Sequence, residues 1–183
     1  GKNEKRMNYS LSRIAAICGG KFSGCDSEVR SVVTDSRSLS CELGCRPMFV
    51  AMRGANHDSH DFIADMQSRG VRAFLVERGV EASSCTGECG FVQVDNAIEA
   101  LQRLAAYHRA QFRGTVVGIP GSNGKTVIKE WIAEELPEGM KYYRSPKSYN
   151  SQLGVPLSVL MLEGDEELAI FEAGISKPGE MER

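Results

Sequence analysis

The sequence predicts an α/β fold in two parts: a small N-terminal α/β domain over residues 1–113, then the opening of a parallel-sheet domain over residues 114–183. Three observations lead there. Short β-branched or apolar runs alternate along the chain with segments of helical spacing, a pattern that implies parallel α/β architecture. A well-marked amphipathic helix stops at Gly114, and a different organisation begins after it. The first run beyond it, Thr115–Ile119, leads through a glycine-rich loop into a helix, which is the strand–loop–helix order of phosphate-binding folds.

In chain order, Leu11, Ile14, Ala15 and Ile17 give a short helix that Gly19-Gly20 ends. Val29–Thr34 reads as a strand, followed by the polar turn Asp35-Ser36-Arg37. Met48–Met52 is a second apolar run of strand type, a helix follows over Asp61–Ser68, and Ala73–Val76 is the next strand. Residues 78–90 read as a loop, and Phe91–Val94 returns as a strand. Asn96 then caps the clearest helix, with Glu99 at the capping-box position. Its buried face runs Leu101, Leu104, Ala105, His108 and Phe112, so His108 reads as a packed core histidine before it reads as a ligand. Beyond Gly114 come the strand Thr115–Ile119, a helix over Lys125–Leu136, a strand near Lys141–Tyr143, a helix over Val155–Leu162 and a strand Leu168–Glu172.

The composition narrows the classes. The 183 residues are 42% apolar and 25% charged, as in ordinary globular proteins, and the formal charge of -2 offers no basic excess for a nucleic acid. No run approaches the about 18 apolar residues of a membrane helix, and the charged N-terminus lacks the apolar core of a secretion signal. These points predict no membrane insertion and a cytoplasmic location. Six cysteines include two C-x3-C pairs, Cys41/Cys45 and Cys85/Cys89. Zinc sites favour tighter spacing, and none of His57, His60 and His108 completes one, so free thiols are the simpler reading.

Gly121, Ser122, Asn123, Gly124, Lys125 and Thr126 carry the sharpest chemistry. The glycines let backbone N–H groups converge on phosphate oxygens, and the following helix adds positive potential. Lys125 can reach the β- and γ-phosphates of a nucleoside triphosphate, while the Thr126 hydroxyl can ligate Mg2+. The strict G-x-x-x-x-G-K-[ST] pattern is not met, because Ile119 stands at its first glycine and Gly118 comes one residue earlier. The competing reading is a glycine-rich turn with an incidental Lys-Thr.

Gly118-Ile-Pro-Gly-Ser-Asn-Gly-Lys-Thr126 resembles the G-x-x-G-[ST]-N-G-K-T loop of the Mur ligases and their folylpolyglutamate synthase relatives, with Pro120 where threonine is usual. Thr34-Asp-Ser-Arg37, Phe49-Val-Ala51 and Asp58-Ser-His-Asp-Phe-Ile63 are similar to the N-terminal domain that holds the UDP-sugar end of that family's substrates. Tyr149-Asn-Ser-Gln-Leu-Gly-Val-Pro-Leu157 resembles the family's N-x-x-G-x-P-L segment. Phe171-Glu-Ala-Gly174 with Lys177-Pro-Gly-Glu-Met181 is similar to an E-x-G-x-x-x-P-G-E-[IM] stretch of the member that adds a dipeptide. Three departures stand out: eleven residues between Arg37 and Phe49, Ser59 in place of a common glycine, and Ser176-Lys177 in place of an Asn-His pair.

The resemblance implies that residues 1–113 form the UDP-substrate-binding domain and residues 114–183 the first part of a central P-loop ATPase domain. It implies ATP and Mg2+ as cofactors, UDP-N-acetylmuramoyl-tripeptide and D-alanyl-D-alanine as substrates, and ligation through an acyl phosphate. Lys125 would be catalytic, with Thr126 and Glu172 on Mg2+ and with Ser36, Arg37, His60, Asn150 and Ser151 toward the substrate. Three of these assignments have plainer alternatives: Asp-Ser favours turns in any case, Glu172 could be a solvated strand-end carboxylate, and His60 could be only structural. Residues 114–183 hold fewer strands than a parallel domain covered on both faces needs, so the expectation is an incomplete ATPase domain without turnover by itself. Other readings are a sister ligase adding a different amino acid, a P-loop kinase with an unrelated N-terminal domain, and a nucleotide-binding module without catalysis.

Overall fold

The computed structural model describes residues 7–39, 45–54, 58–77, 88–120, 134–146 and 151–173. Two compact units are present, one over Met7–Tyr107 and one that takes in His108–Arg183.

The first unit opens with β1 (Tyr9–Ser10) and α1 (Leu11–Cys18). The Ser10 side chain accepts from the Arg13 amide, and Gly19, at φ 67°, closes the helix in the left-handed region. Leu11, Ile14, Ala15 and Cys18 form its buried face. The strand expected over Val29–Thr34 is divided. The Arg30 amide turns away to bond Arg46 O at 3.0 Å, which separates β3 (Glu28–Val29) from β4 (Ser31–Val33). β3 pairs antiparallel with β1, whereas β4 enters the main sheet.

That sheet has five strands in the order β2-β7-β6-β5-β4, with β2 at Lys21–Gly24, β5 at Pro47–Val50, β6 at Ala73–Val76 and β7 at Gly90–Gln93. β4 to β7 are parallel, and their central members are apolar at nearly every position because both faces are covered. Phe49, Phe74 and Leu75 are fully buried, and Phe74 stacks on Phe91 with ring centroids 5.3 Å apart. The edge strand β2 (Lys21–Gly24) runs antiparallel to β7. No strand is expected there from the sequence, since its side chains are largely exposed and show no apolar alternation. Its chain comes so near β7 that a Cβ on Gly90 would stand 2.0 Å from Cys25 O.

A 3-10 turn (Ser59–Phe62) leads into α2 (Ile63–Ser68), a shorter helix than the Asp61–Ser68 expected. α3 (Ala97–Ala110) buries Ala97, Ala100, Leu101, Leu104 and Ala105, and Asn96 Oδ1 accepts from the Glu99 amide at 3.0 Å. Its last residues, from His108, belong to the second unit.

The second unit has a parallel three-stranded sheet in the order β8-β10-β9, from β8 (Thr115–Pro120), β9 (Tyr142–Arg144) and β10 (Leu168–Ala173). β10 is central and packed on both faces. Ala169 and Phe171 join Phe112 and Leu162 on one side, and Leu168 and Ile170 join Ile119 on the other. α4 (Gly154–Leu160) follows β9. The helix expected over Lys125–Leu136 lies outside the described residues except at 134–136. His108 Nε2 donates to Leu162 O at 2.8 Å, and burial lowers the histidine's pKa against the opposing pull of that carbonyl and of Glu166. Among the described residues no helix is long and apolar enough to cross a membrane.

Candidate functional site

β4, β5, β6 and β7 point the same way, so the segments that follow them meet at one edge of the sheet. Ligand-binding groups of open parallel sheets collect at that edge. Ser36 and Arg37 lie there, in a 3-10 turn (Ser36–Ser38) that the Asp35 side chain caps. Arg69 Nη1 donates to Ser36 O at 2.8 Å and ties the turn to the end of α2. The Arg37 side chain is 89% exposed and forks onto its neighbour, Nε to Asp35 Oδ1 at 3.1 Å and Nη2 to Oδ2 at 2.9 Å. Hydrogen bonds from Arg37 hold the Asp35 carboxyl below its ordinary range.

His60 stands at the same edge but is enclosed, its side chain 1% exposed. The Glu77 amide donates to its Nε2 at 3.0 Å, so the proton sits on Nδ1, which faces Asp58 Oδ1 at 2.5 Å. Both ring nitrogens are therefore committed within the fold. Glu77, which the sequence reading passed over, ties the edge together. One carboxylate oxygen accepts from the Arg53 amide at 2.6 Å and the other from the Ala97 amide at 2.9 Å, which joins the segment after β5 to the start of α3. The available signal was its place directly after an all-apolar strand, Ala73–Val76, where a carboxylate needs internal donors.

In the second unit, β8 runs directly toward Gly121, Ser122, Asn123, Gly124, Lys125 and Thr126, which lie outside the described residues, as does Asn150. Glu172 pairs in register with Ile119 near the C-terminal ends of the two adjacent strands, one pair before Ala173 and Pro120. The residue is 8% exposed, and its amide donates to the Oγ of buried Ser145 at 3.1 Å. A carboxylate there is the hard oxygen donor that Mg2+ takes, beside the strand that enters the loop. Ser151 Oγ accepts from the Gly154 amide at 2.9 Å, so that hydroxyl opens α4.

A second acidic group, Glu163, Asp165 and Glu166, has its own partners. Lys141 Nζ lies 2.7 Å from Glu163 and 2.5 Å from Asp165, and Glu166 accepts from the amides of Glu163 and Gly164. Those two carboxylates raise the pKa of Lys141 above its ordinary value. Cys18, Cys25, Cys45 and Cys89 are free thiols, while Cys41 and Cys85 lie outside the described residues.

A parallel sheet whose first strand feeds a glycine-rich loop, with an acidic residue ending the strand beside it, defines a P-loop nucleotide-binding class. The family model of the Mur ligase middle domain matches residues 119–183 of this chain. The chain is similar to the UDP-N-acetylmuramoyl-tripeptide–D-alanyl-D-alanine ligase of Escherichia coli strain K12, 31% identical over 96% of this chain and 37% of the relative. The enzyme of the same name from Bacillus subtilis strain 168 is 30% identical over 96% of this chain and 38% of its own.

Solved structures agree. The UDP-N-acetylmuramoylalanyl-D-glutamyl-2,6-diaminopimelate–D-alanyl-D-alanyl ligase of Acinetobacter baumannii superposes with a TM-score of 0.80 at 26% identity, covering 98% of this chain and 39% of that one. The MurF ligase of Thermotoga maritima in complex with ADP gives 0.68 at 31% identity, covering 82% and 33%. The chain thus spans well under half the length of each of these relatives.

Proposed function

We propose that this protein is an ATP-dependent carbon–nitrogen ligase that joins D-alanyl-D-alanine to UDP-N-acetylmuramoyl-tripeptide, a cytoplasmic step of peptidoglycan precursor synthesis. In this reading residues 1–113 receive the UDP end of the substrate and residues 114–183 begin the ATPase domain. The observation that carries it is the register of Glu172 with Ile119, which sets an acidic side chain beside the strand leading to Lys125 and Thr126. The names of the relatives at 31% and 30% identity supply the substrate class.

The chemistry brings two anions together. The γ-phosphoryl group of ATP passes to the tripeptide carboxylate, which gives an acyl phosphate and ADP. The dipeptide amine then attacks the acyl carbon, phosphate leaves, and the amine gives its proton to solvent. Lys125 and the loop amides spread charge over the transferring group, so catalysis rests on position and electrostatics. Thr126 and Glu172 would hold Mg2+, which supplies further positive charge there when bound. Ser36 and Arg37 contact the UDP portion, Asn150 and Ser151 are further candidate substrate contacts, and His60 acts by shaping the sheet edge.

The complete gene product, given ATP, Mg2+ and the UDP-linked tripeptide, tests the reading through phosphate release. Release that requires D-alanyl-D-alanine and vanishes in Lys125→Ala supports it. Release that requires a different amino acid moves the protein to a sister ligase.

A further inference from the structure

We infer that Arg53 is a diphosphate-binding residue of the first unit and that Glu77 is the residue that positions it. The inference rests on the reading that this unit receives a UDP-linked substrate. β4 and β5 are adjacent and parallel, with Val33 level with Phe49. Arg37 and Arg53 follow those two residues at the same interval, so both guanidinium groups belong to one edge of the sheet. Their surroundings differ. Asp35 fills the Arg37 fork with both carboxylate oxygens, so an incoming phosphate must displace an intact ion pair. Arg53 is exposed, and its Nη2 donates to a neutral acceptor, Glu77 O, at 2.5 Å. Among the described residues no carboxylate forms an ion pair with its guanidinium, and its Nε and Nη1 bond to none of them.

The anchoring of Arg53 fits that role. Its amide is fixed by Glu77 Oε1, and its backbone bridges to Asp58, the residue that holds His60. The Glu77 amide closes the loop by donating to His60 Nε2. Both Glu77 carboxylate oxygens accept from backbone amides, so this acid orients the arginine without pairing with it. A guanidinium offers a planar fork that matches phosphate oxygens, and one fixed in advance loses less conformational freedom when it binds. The ligand class is a nucleoside diphosphate.

The test compares UDP with uridine, titrated into the complete gene product by ligand-observed NMR. Wild type binds UDP more tightly than uridine. Arg53→Met, which keeps the stem and the backbone anchor, weakens UDP about tenfold or more and leaves uridine unchanged, as the loss of one charge-assisted contact requires. Arg53→Lys recovers part of the difference, and Glu77→Gln shifts it in the same direction as Arg53→Met. Equal weakening of UDP and uridine in Arg53→Met would mean that the residue only supports the fold, and overturns the inference. Unchanged UDP binding in a folded Arg53→Met overturns it as well, while the UDP-substrate reading stands. A wild type that binds neither ligand overturns that reading and the inference with it.

Discussion

Glu172 stands level with Ile119 on the neighbouring parallel strand, immediately before β8 runs out toward the glycine-rich loop. Parallel pairing brings the C-terminal ends of two strands distant in sequence to one place, and the proposed Mg2+ role of Glu172 rests on that proximity. Glu172→Gln removes an anionic oxygen donor while it nearly preserves shape. The expected outcome is a loss of ATP turnover on the order of 10²-fold and a higher Mg2+ requirement, read from a Mg2+ titration of turnover. Turnover and Mg2+ dependence equal to wild type would return Glu172 to the role of a strand-end carboxylate.

The edge strand β2 can be tested through Gly90. A Cβ there meets Cys25 O at 2.0 Å, a backbone atom that no rotamer change can move aside. Gly90→Ala should destabilise the protein by about 3 kcal/mol, visible as a lower midpoint in chemical denaturation. An unchanged midpoint would mean that β2 does not lie against β7 as described.

His108 predicts a pH dependence. Burial lowers its folded pKa below the ordinary value of about 6.5, so below that pH the unfolded chain binds a proton that the folded protein does not. The contribution of this group to stability is complete above the ordinary value and declines as the pH falls from it toward the folded pKa. Denaturation midpoints measured between about pH 5 and 7 should fall with acid more steeply in wild type than in His108→Gln. Equal slopes would remove His108 as the cause.

The thiols should differ in reactivity. Burial pushes the Cys18 thiol up to about 11, whereas Cys25 is exposed. Brief alkylation of the native protein followed by peptide mapping should label Cys25 well before Cys18. Labelling in the reverse order would contradict the packing of α1.

Much of the fold is legible in the sequence where local signals and tertiary contacts agree. Ala73–Val76 reads as a strand because it is one, and Asn96 announces α3 because capping is local chemistry. What is not legible depends on contacts across the sequence. Lys21–Gly24 becomes a strand only because β7 offers it an edge, and Val29–Thr34 divides because Arg46 draws away the Arg30 amide. The candidate site divides in the same way. Ser36, Arg37 and Glu172 stand out through motif and position, while Glu77 and Arg53 acquire meaning only when the segments after β5, β6 and β7 are seen at one edge.

The most direct measurement is mass spectrometry of the UDP-linked product after the complete gene product has been incubated with ATP, Mg2+, UDP-N-acetylmuramoyl-tripeptide and D-alanyl-D-alanine. The expected product is heavier than the substrate by the dipeptide less one water, is formed with one ADP for each bond, and is absent in Lys125→Ala. ATP consumed with the UDP-tripeptide unchanged in mass, or extended only by another amino acid, would contradict the proposed function.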